Sequence, residues 1–188
     1  DYLGSGDRLG VNIYYRIQDE SRGTANAVYC GRDFVGSEDF VVMYGDNYLK
    51  PYSAIKDAVK FHEDKKADAT LVLHLVEDPR RFGIVKINEK GKVLSMIEKP
   101  TLEEAKSHRT NNAYLNIAGL LVLKSKIFDY IEKTKLGRGG EVWLTESVEL
   151  MRRDGHKILG FVFKGKRYDI GTFESLREAD RMNQIEGY

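Results

Sequence analysis

The feature that most restricts the fold of this chain is the regular exchange of strand-type and helix-type periodicity along it. Val11, Ile13, Tyr15 and Ile17 recur every second residue, the spacing of a half-buried strand. Residues 24–34 read as a short helix with Ala27, Val28 and Cys30 among its apolar positions. Phe40-Val41-Val42-Met43-Tyr44 is a continuous apolar run, as in a strand covered on both faces. Residues 51–66 return to helical spacing and 69–76 to a strand. Residues 83–88 and 92–97 flank Glu89-Lys90-Gly91, which predicts a hairpin. Thr101 and Glu104 have the spacing of a capping box. A strand over 116–124, a helix capped by Ser125, a helix over 144–154 stopped by Gly155, a strand over 157–163 and a last helix from Thr172 complete the pattern. Such alternation predicts an α/β layered sheet, mostly parallel, with one antiparallel hairpin.

Composition removes several function classes. Thirty basic residues against twenty-nine acidic ones leave a net charge of +1, which offers no polybasic footprint for nucleic acid. One cysteine, Cys30, excludes an internal disulfide framework and any multi-thiolate metal site. The apolar runs are far shorter than the ~20 residues of a membrane span. The expectation is one domain over 1–188 in a soluble, cytoplasmic protein, with neither nucleic acid nor membrane as partner.

Four groups of residues carry possible chemistry. Gly45-Asp46-Asn47 follows the apolar run at 40–44, where the end of a buried strand places a carboxylate for a divalent cation; it is equally a plain turn. Tyr168-Asp169-Ile170-Gly171-Thr172 offers a second carboxylate between strand and helix, or merely the turn before a Thr172 N-cap. Together Asp46 and Asp169 make a pair of the kind that holds Mg²⁺ with substrate phosphates and water. Glu98-Lys99-Pro100 closes a strand with acceptors for sugar hydroxyls and a point charge for a phosphate, or stands as an exposed charged strand end. Gln18 with Gly23-Thr24-Ala25 puts an amide beside a glycine-led helix start, suited to a base edge or to tight packing. Arg80-Arg81 after Pro79 reads as a solvated turn, although an arginine pair can also hold anions. His62, His74, His108 and His156 lack metal-ligand spacing, and Cys30 reads as a packed thiol.

In chain order these groups, with Phe82-Gly83-Ile84-Val85, Asn116…Ala118-Gly119 and Glu141-Val142-Trp143-Leu144-Thr145, form a series covering nearly the whole chain. The series resembles the sugar-1-phosphate nucleotidyltransferases, especially the glucose-1-phosphate thymidylyl- and uridylyltransferase type. The resemblance implies a Rossmann-like, three-layer α/β fold. It also implies transfer of a nucleotidyl group from a nucleoside triphosphate, UTP or dTTP, to a sugar 1-phosphate such as glucose 1-phosphate, with pyrophosphate released. By it, Gln18, Gly23 and Thr24 contact the nucleotide; Gly83, Glu98, Lys99 and Glu141 face the sugar phosphate; Asp46 and Asp169 hold Mg²⁺; and Lys99 and Asp46 serve catalysis. A homo-oligomer is compatible with it. The other reading is a non-catalytic paralogue that binds sugar nucleotides. The family's N-terminal glycine-rich triphosphate loop has no convincing match: Gly4-Ser5-Gly6-Asp7-Arg8-Leu9 echoes it, but precedes the segment leading to Gln18 and reads as a turn. The resemblance thus places Asp1 well inside the family's catalytic domain. It implies an N-terminally truncated domain whose missing segment belongs to the same protein, and a chain that does not turn over alone.

Overall fold

Helices and strands follow each other much as the periodicity predicts. The computed structural model describes residues 2–110 and 112–185, with the side chains of 183–185 outside that description; Asp1, from which the truncation was read, is also outside it. The first half comprises α1 (Thr24–Tyr29), α2 (Arg32–Val35), β1 (Phe40–Met43), β2 (Asn47–Lys50), α3 (Ser53–Lys65), β3 (Ala69–Val76), and the hairpin of β4 (Gly83–Ile87) and β5 (Val93–Glu98). The second comprises α4 (Leu102–Ala105), β6 (Arg109–Thr110), β7 (Ala113–Leu123), α5 (Ile127–Lys133), α6 (Leu144–Arg153), β8 (Ile158–Val162), β9 (Lys166–Asp169) and α7 (Phe173–Ile185). The capping box at Thr101 and Glu104 is formed, and Gly155 takes the left-handed conformation just beyond α6.

β7 is the spine of the main sheet. β3 pairs along one of its edges, while β1, β4 and the two-residue β6 share the other. β8 lies outside β3, and β5 lies outside β4. The α/β layering and the hairpin match expectation, but the strand directions differ from a mostly parallel sheet: among the described strands only the β3–β8 ladder is parallel. The reason is connectivity. β1, β3, β4 and β8 run one way, but the chain reaches β7 through the hairpin and the short α4 turn, not through a long helical crossover. Without that crossover β7 enters reversed, which makes its ladders antiparallel.

The reversed strand also carries a bulge. Leu71 faces Leu121 and Leu73 faces Ile117, so β7 gains two residues over β3, with Gly119 at φ 76°. An insertion of two keeps the facial alternation intact. Leu115, Ile117, Leu121 and Leu123 face the core under α1, α5 and α6, where Ala25, Phe128, Leu144, Val148 and Met151 pack. Ala118, Leu120 and Val122 face the core under α3, against Ala54, Ala58 and Phe163. The result is the expected three layers. Leu144, Val148 and Met151, spaced by four and three residues along one stripe of α6, are each worth roughly 1.5–3 kcal/mol of burial.

Three local expectations change. Residues 11–17 form no strand; Val11 is 53% and Ile17 84% exposed, and Ile13 N–H bonds locally to Ser5 O. The period-2 pattern is present, but among the described residues no neighbouring strand supplies a ladder. The helix over 24–34 is two short ones broken at Gly31. β1 is packed on one face only: Phe40 and Val42 join the core, while Val41 and Met43 are exposed.

A Cβ at Gly119 would stand 2.6 Å from Asn47 Cγ, in a backbone region that L-residues rarely adopt. Gly119→Ala is expected to cost about 1–3 kcal/mol, read as a lowered urea midpoint. An unchanged midpoint would show that the bulge is not held as described.

Candidate functional site

The shared edge of β7 has a gap. β1 ends opposite Leu120 and the β4 ladder begins opposite Asn116, so the stretch between is met only by Tyr44 N–H donating to Gly119 O at 2.8 Å. A cavity of about 370 Å³ opens there, with Ile117 in its wall. The end of β1 contributes Tyr44, Asp46 and Asn47; the start of β4 contributes Arg81, Phe82 and Gly83; the end of β5 contributes Glu98 and Lys99. Thr24, Trp143, Thr145, Arg167 and Asp169 complete most of the lining.

The two aspartates are brought together by a second, two-stranded sheet that pairs β2 with β9, Asn47 opposite Asp169. Ile170 N–H donates to Asp46 O at 2.7 Å, which clamps the turn after β1 to the end of β9. An atom built as Cβ on Gly171 would lie 3.3 Å from Asp169 Oδ1 and 3.5 Å from Asp46 Oδ2, so both carboxylates border one small space. Two convergent hard oxygen donors beside an open cavity fit a small divalent cation that takes its remaining ligands from phosphate and water. Among the described residues no group of three or more candidate ligands exists.

The sugar-phosphate group also converges. A Cβ at Gly83 would stand 2.7 Å from Thr145 Oγ1 and 2.8 Å from Glu98 Oε2, so glycine is needed to seat the Glu98 carboxylate against the sheet. Burial pushes the Glu98 carboxyl above its ordinary range, and Glu146 and Glu141 add to this; the Thr145 hydroxyl and Lys99 oppose it. Lys99 adopts φ 42°, and its Nζ lies 3.9 Å from the centroid of the Trp143 ring. Glu141 is half-buried behind this wall and does not line the cavity.

The expected nucleotide contacts divide. Thr24 lines the cavity, and its Oγ1 accepts from Leu144 N–H at 3.1 Å, tying α1 to the start of α6. Gly23 packs against Val142 and Glu141. Gln18 donates to Asn26 Oδ1 at 2.8 Å and borders a separate groove beside β1. Gly4 to Leu9 form a turn with a short 3-10 segment and do not reach the cavity.

Several lining residues escaped the sequence reading or were read first as solvated. Arg80 pairs with Asp78 in the exposed turn, whereas its neighbour Arg81 lines the cavity. Arg167 is 8% exposed; its Nε donates to Asn47 Oδ1 at 2.6 Å and an amino group reaches Asp169 Oδ2 at 3.3 Å. Asn47 in turn donates to Asp46 Oδ1 at 2.7 Å. Burial disfavours the Arg167 charge, while Asp169 and Asp46 favour it. Tyr44 is pushed up to about 12, chiefly by burial, and therefore stays a neutral phenol in the wall. The one available signal for Arg167 was its place two residues before Asp169, which puts both side chains on one face of a strand.

Fold and site together define an α/β protein whose cavity is bordered by strand ends and lined by both carboxylates and cations. The chain belongs to the Nucleotidyl transferase family, whose profile matches residues 1–185. It is 35% identical over 180 residues to a low-salt glycan biosynthesis nucleotidyltransferase of Haloferax volcanii, covering 96% of this chain and 48% of that protein. It is 34% identical over 167 residues to UTP–glucose-1-phosphate uridylyltransferase 1 of Staphylococcus saprophyticus, covering 86% and 56% respectively. The crystal structure of an apo UDP-glucose pyrophosphorylase shares the fold, with a TM-score of 0.84 at 24% identity over 100% of this chain and 70% of that one. The chain thus spans about half the length of these curated relatives.

Glu98 supplies a pH test of this geometry. Its folded pKa lies above the unfolded one, so between the two values the native state binds more protons, and stability falls as pH rises through that window. Glu98→Gln is expected to raise the melting temperature at about pH 7 and to lose that advantage below the ordinary carboxylate range, near pH 4. Melts of both proteins across this range check it; an advantage independent of pH would refute the burial assignment.

Proposed function

We propose that the protein containing this chain transfers a nucleotidyl group from UTP or dTTP to a sugar 1-phosphate, with glucose 1-phosphate the first candidate. An oxygen of the sugar's phosphate forms a bond to the α-phosphorus, the bond from that phosphorus to the β-bridging oxygen breaks, and pyrophosphate leaves with the electron pair. The products are a nucleotide sugar and pyrophosphate. The observation that carries this reading is the single cavity joining Asp46, Asp169, Gly83, Glu98 and Lys99. The attacking phosphate oxygen is already anionic, so the residues must position and neutralise, not abstract a proton. Glu98 offers acceptors to sugar hydroxyls over the bare surface of Gly83. Lys99 and Arg81 offer positive charge to phosphate, and Thr24 stands on the α1 side of the cavity. Asp46 and Asp169 would hold Mg²⁺, which when bound would offset the charge on the phosphoryl oxygens.

A cytoplasmic setting belongs to the same proposal; no helix among the described residues is long and apolar enough to cross a membrane. Gln18 and Gly23 remain candidates for base contacts from the groove beside β1 and from the α1 start.

The test is pyrophosphate release from each nucleoside triphosphate with glucose 1-phosphate, with and without Mg²⁺, using the full-length protein. Asp46→Asn and Asp169→Asn are each expected to lower the Mg²⁺-dependent rate by about 10²-fold or more. Wild-type turnover in either variant would remove that residue from the site. Binding of a nucleotide sugar with no turnover for any common sugar phosphate would instead favour the non-catalytic, sugar-nucleotide-binding reading.

A further inference from the structure

Lys99 is expected to meet the phosphate, yet nothing so far accounts for how its flexible side chain is kept at the cavity. We infer that Trp143 is the positioning residue for Lys99, its indole acting as a fixed backstop that holds the ammonium in the wall and directs its N–H donors inward. The inference rests on the sugar-phosphate reading of the cavity.

Four observations carry it. The Lys99 Nζ stands 3.9 Å from the ring centroid, well inside the range of a cation–π contact. The indole is itself immobilised: Trp143 is 8% exposed, and its Nε1–H donates to Arg138 O at 2.9 Å. Arg138 is ion-paired with Glu104, and Glu104 accepts from both Thr101 N–H and Thr101 Oγ1 in the capping box. Thr101 is two residues from Lys99. The segments 99–104 and 138–143 are thus latched at two points, Lys99 on Trp143 and Glu104 on Arg138, which closes a loop of contacts around the lysine. Finally, Lys99 holds a left-handed φ of 42°, a conformation unfavourable for a lysine unless its surroundings fix it.

A lysine side chain carries about 2 kcal/mol of rotamer entropy, all of which opposes its fixation on a phosphate. An indole face removes part of that cost before ligand arrives, and it shields one side of the ammonium without offering a competing acceptor. A carboxylate at the same place would hold the ammonium as well but would repel the phosphate. An aromatic face holds the cation and leaves its donors free.

Trp143 is also the only tryptophan of the chain, so its emission reports on Lys99 directly. Lys99→Met is expected to alter the intensity or maximum of that emission in the ligand-free protein. Glucose 1-phosphate, with inorganic phosphate as a second probe, is expected to change the emission of wild type but not of Lys99→Met. Trp143→Leu is expected to weaken binding of these anions roughly 3- to 30-fold by calorimetry, and Trp143→Phe, which keeps a ring, to restore most of it. In the Lys99→Met background Trp143→Leu should cost little more, since the ring then has no ammonium to hold. Emission unaffected by Lys99→Met would overturn the inference. So would a Trp143→Leu penalty of equal size with and without Lys99, which would make Trp143 a structural or direct sugar contact. None of these readouts needs turnover. Coupling without pyrophosphate release would keep the Trp143 role and sink the transferase reading; release without coupling would do the reverse.

Discussion

Everything at the cavity depends on how the backbone of β7 is shared. One edge of this strand is occupied along nearly its whole length by β3, and that ladder, buried between two helical layers, fixes where every other strand must stand. The opposite edge is divided among β1 at one end and β4 and the short β6 toward the other, and β1 and β4 do not meet. A sheet interior cannot leave backbone groups unpaired without cost, so such a gap must be relieved. Here it is relieved by the bulge at Gly119, whose carbonyl takes Tyr44 N–H, and by the Asn47 side chain seated on the space that glycine leaves. The cavity is therefore a property of the sheet, not a groove between loops. It is lined by residues at strand ends because strand ends are what border the gap.

The second constraint is electrostatic. Glu98 and Arg167 are both charged groups withdrawn from water, and each is tolerable only because its partners are fixed. Arg167 is held between Asn47 and Asp169, with its guanidinium over the Phe82 ring at 5.0 Å. Its charge offsets part of the repulsion that two carboxylates at one point would otherwise generate. Oxygen atoms of both Asp46 and Asp169 face the space beside Gly171. Acids and bases share the wall: Asp46, Arg167 and Asp169 meet at the β2–β9 sheet, Glu98 and Lys99 stand at the end of β5, and Arg81 precedes β4.

Much of this was legible from residues alone, because the elements that carry it have strong local signatures. The hairpin at 83–98, the Thr101–Glu104 cap and the stop at Gly155 each depend on contacts within a few residues, so sequence spacing captured them. Asp46, Asp169, Glu98 and Lys99 were singled out for their places at strand ends and Gly83 through the family resemblance, and the fold gathers them into one cavity. What was not legible depends on pairing between distant segments. The direction of β7, the small β2–β9 sheet and the bulge at Gly119 are set by which strand meets which, and periodicity carries no such information. Arg167 was passed over for the same reason, and Arg81 was ranked first as a solvated turn and only second as an anion holder, since a charged residue in a turn or short strand looks solvated until the tertiary fold shows what faces it. The pattern at 11–17 illustrates the converse: the period of a strand was present, but a strand forms only where a neighbour completes its hydrogen bonds.

Several residues that depart from ordinary local preference lie at or beside the cavity. Gly119 and Lys99 have positive φ, Glu98 is a buried acid, Arg167 a buried cation, and Tyr44 a buried phenol. Elsewhere the two helical layers are built from well-spaced apolar residues, with isolated departures such as the positive φ of Lys66 beyond α3. A chain shaped by stability alone would have little reason to place five unfavourable features around one space of a few hundred cubic ångströms. The rigid ladder of β3 on β7 provides the stability that offsets them, and its position one strand away explains how it does so without entering the site. That division of labour, with packing on one edge of β7 and chemistry on the other, ties this sequence's fold to its function.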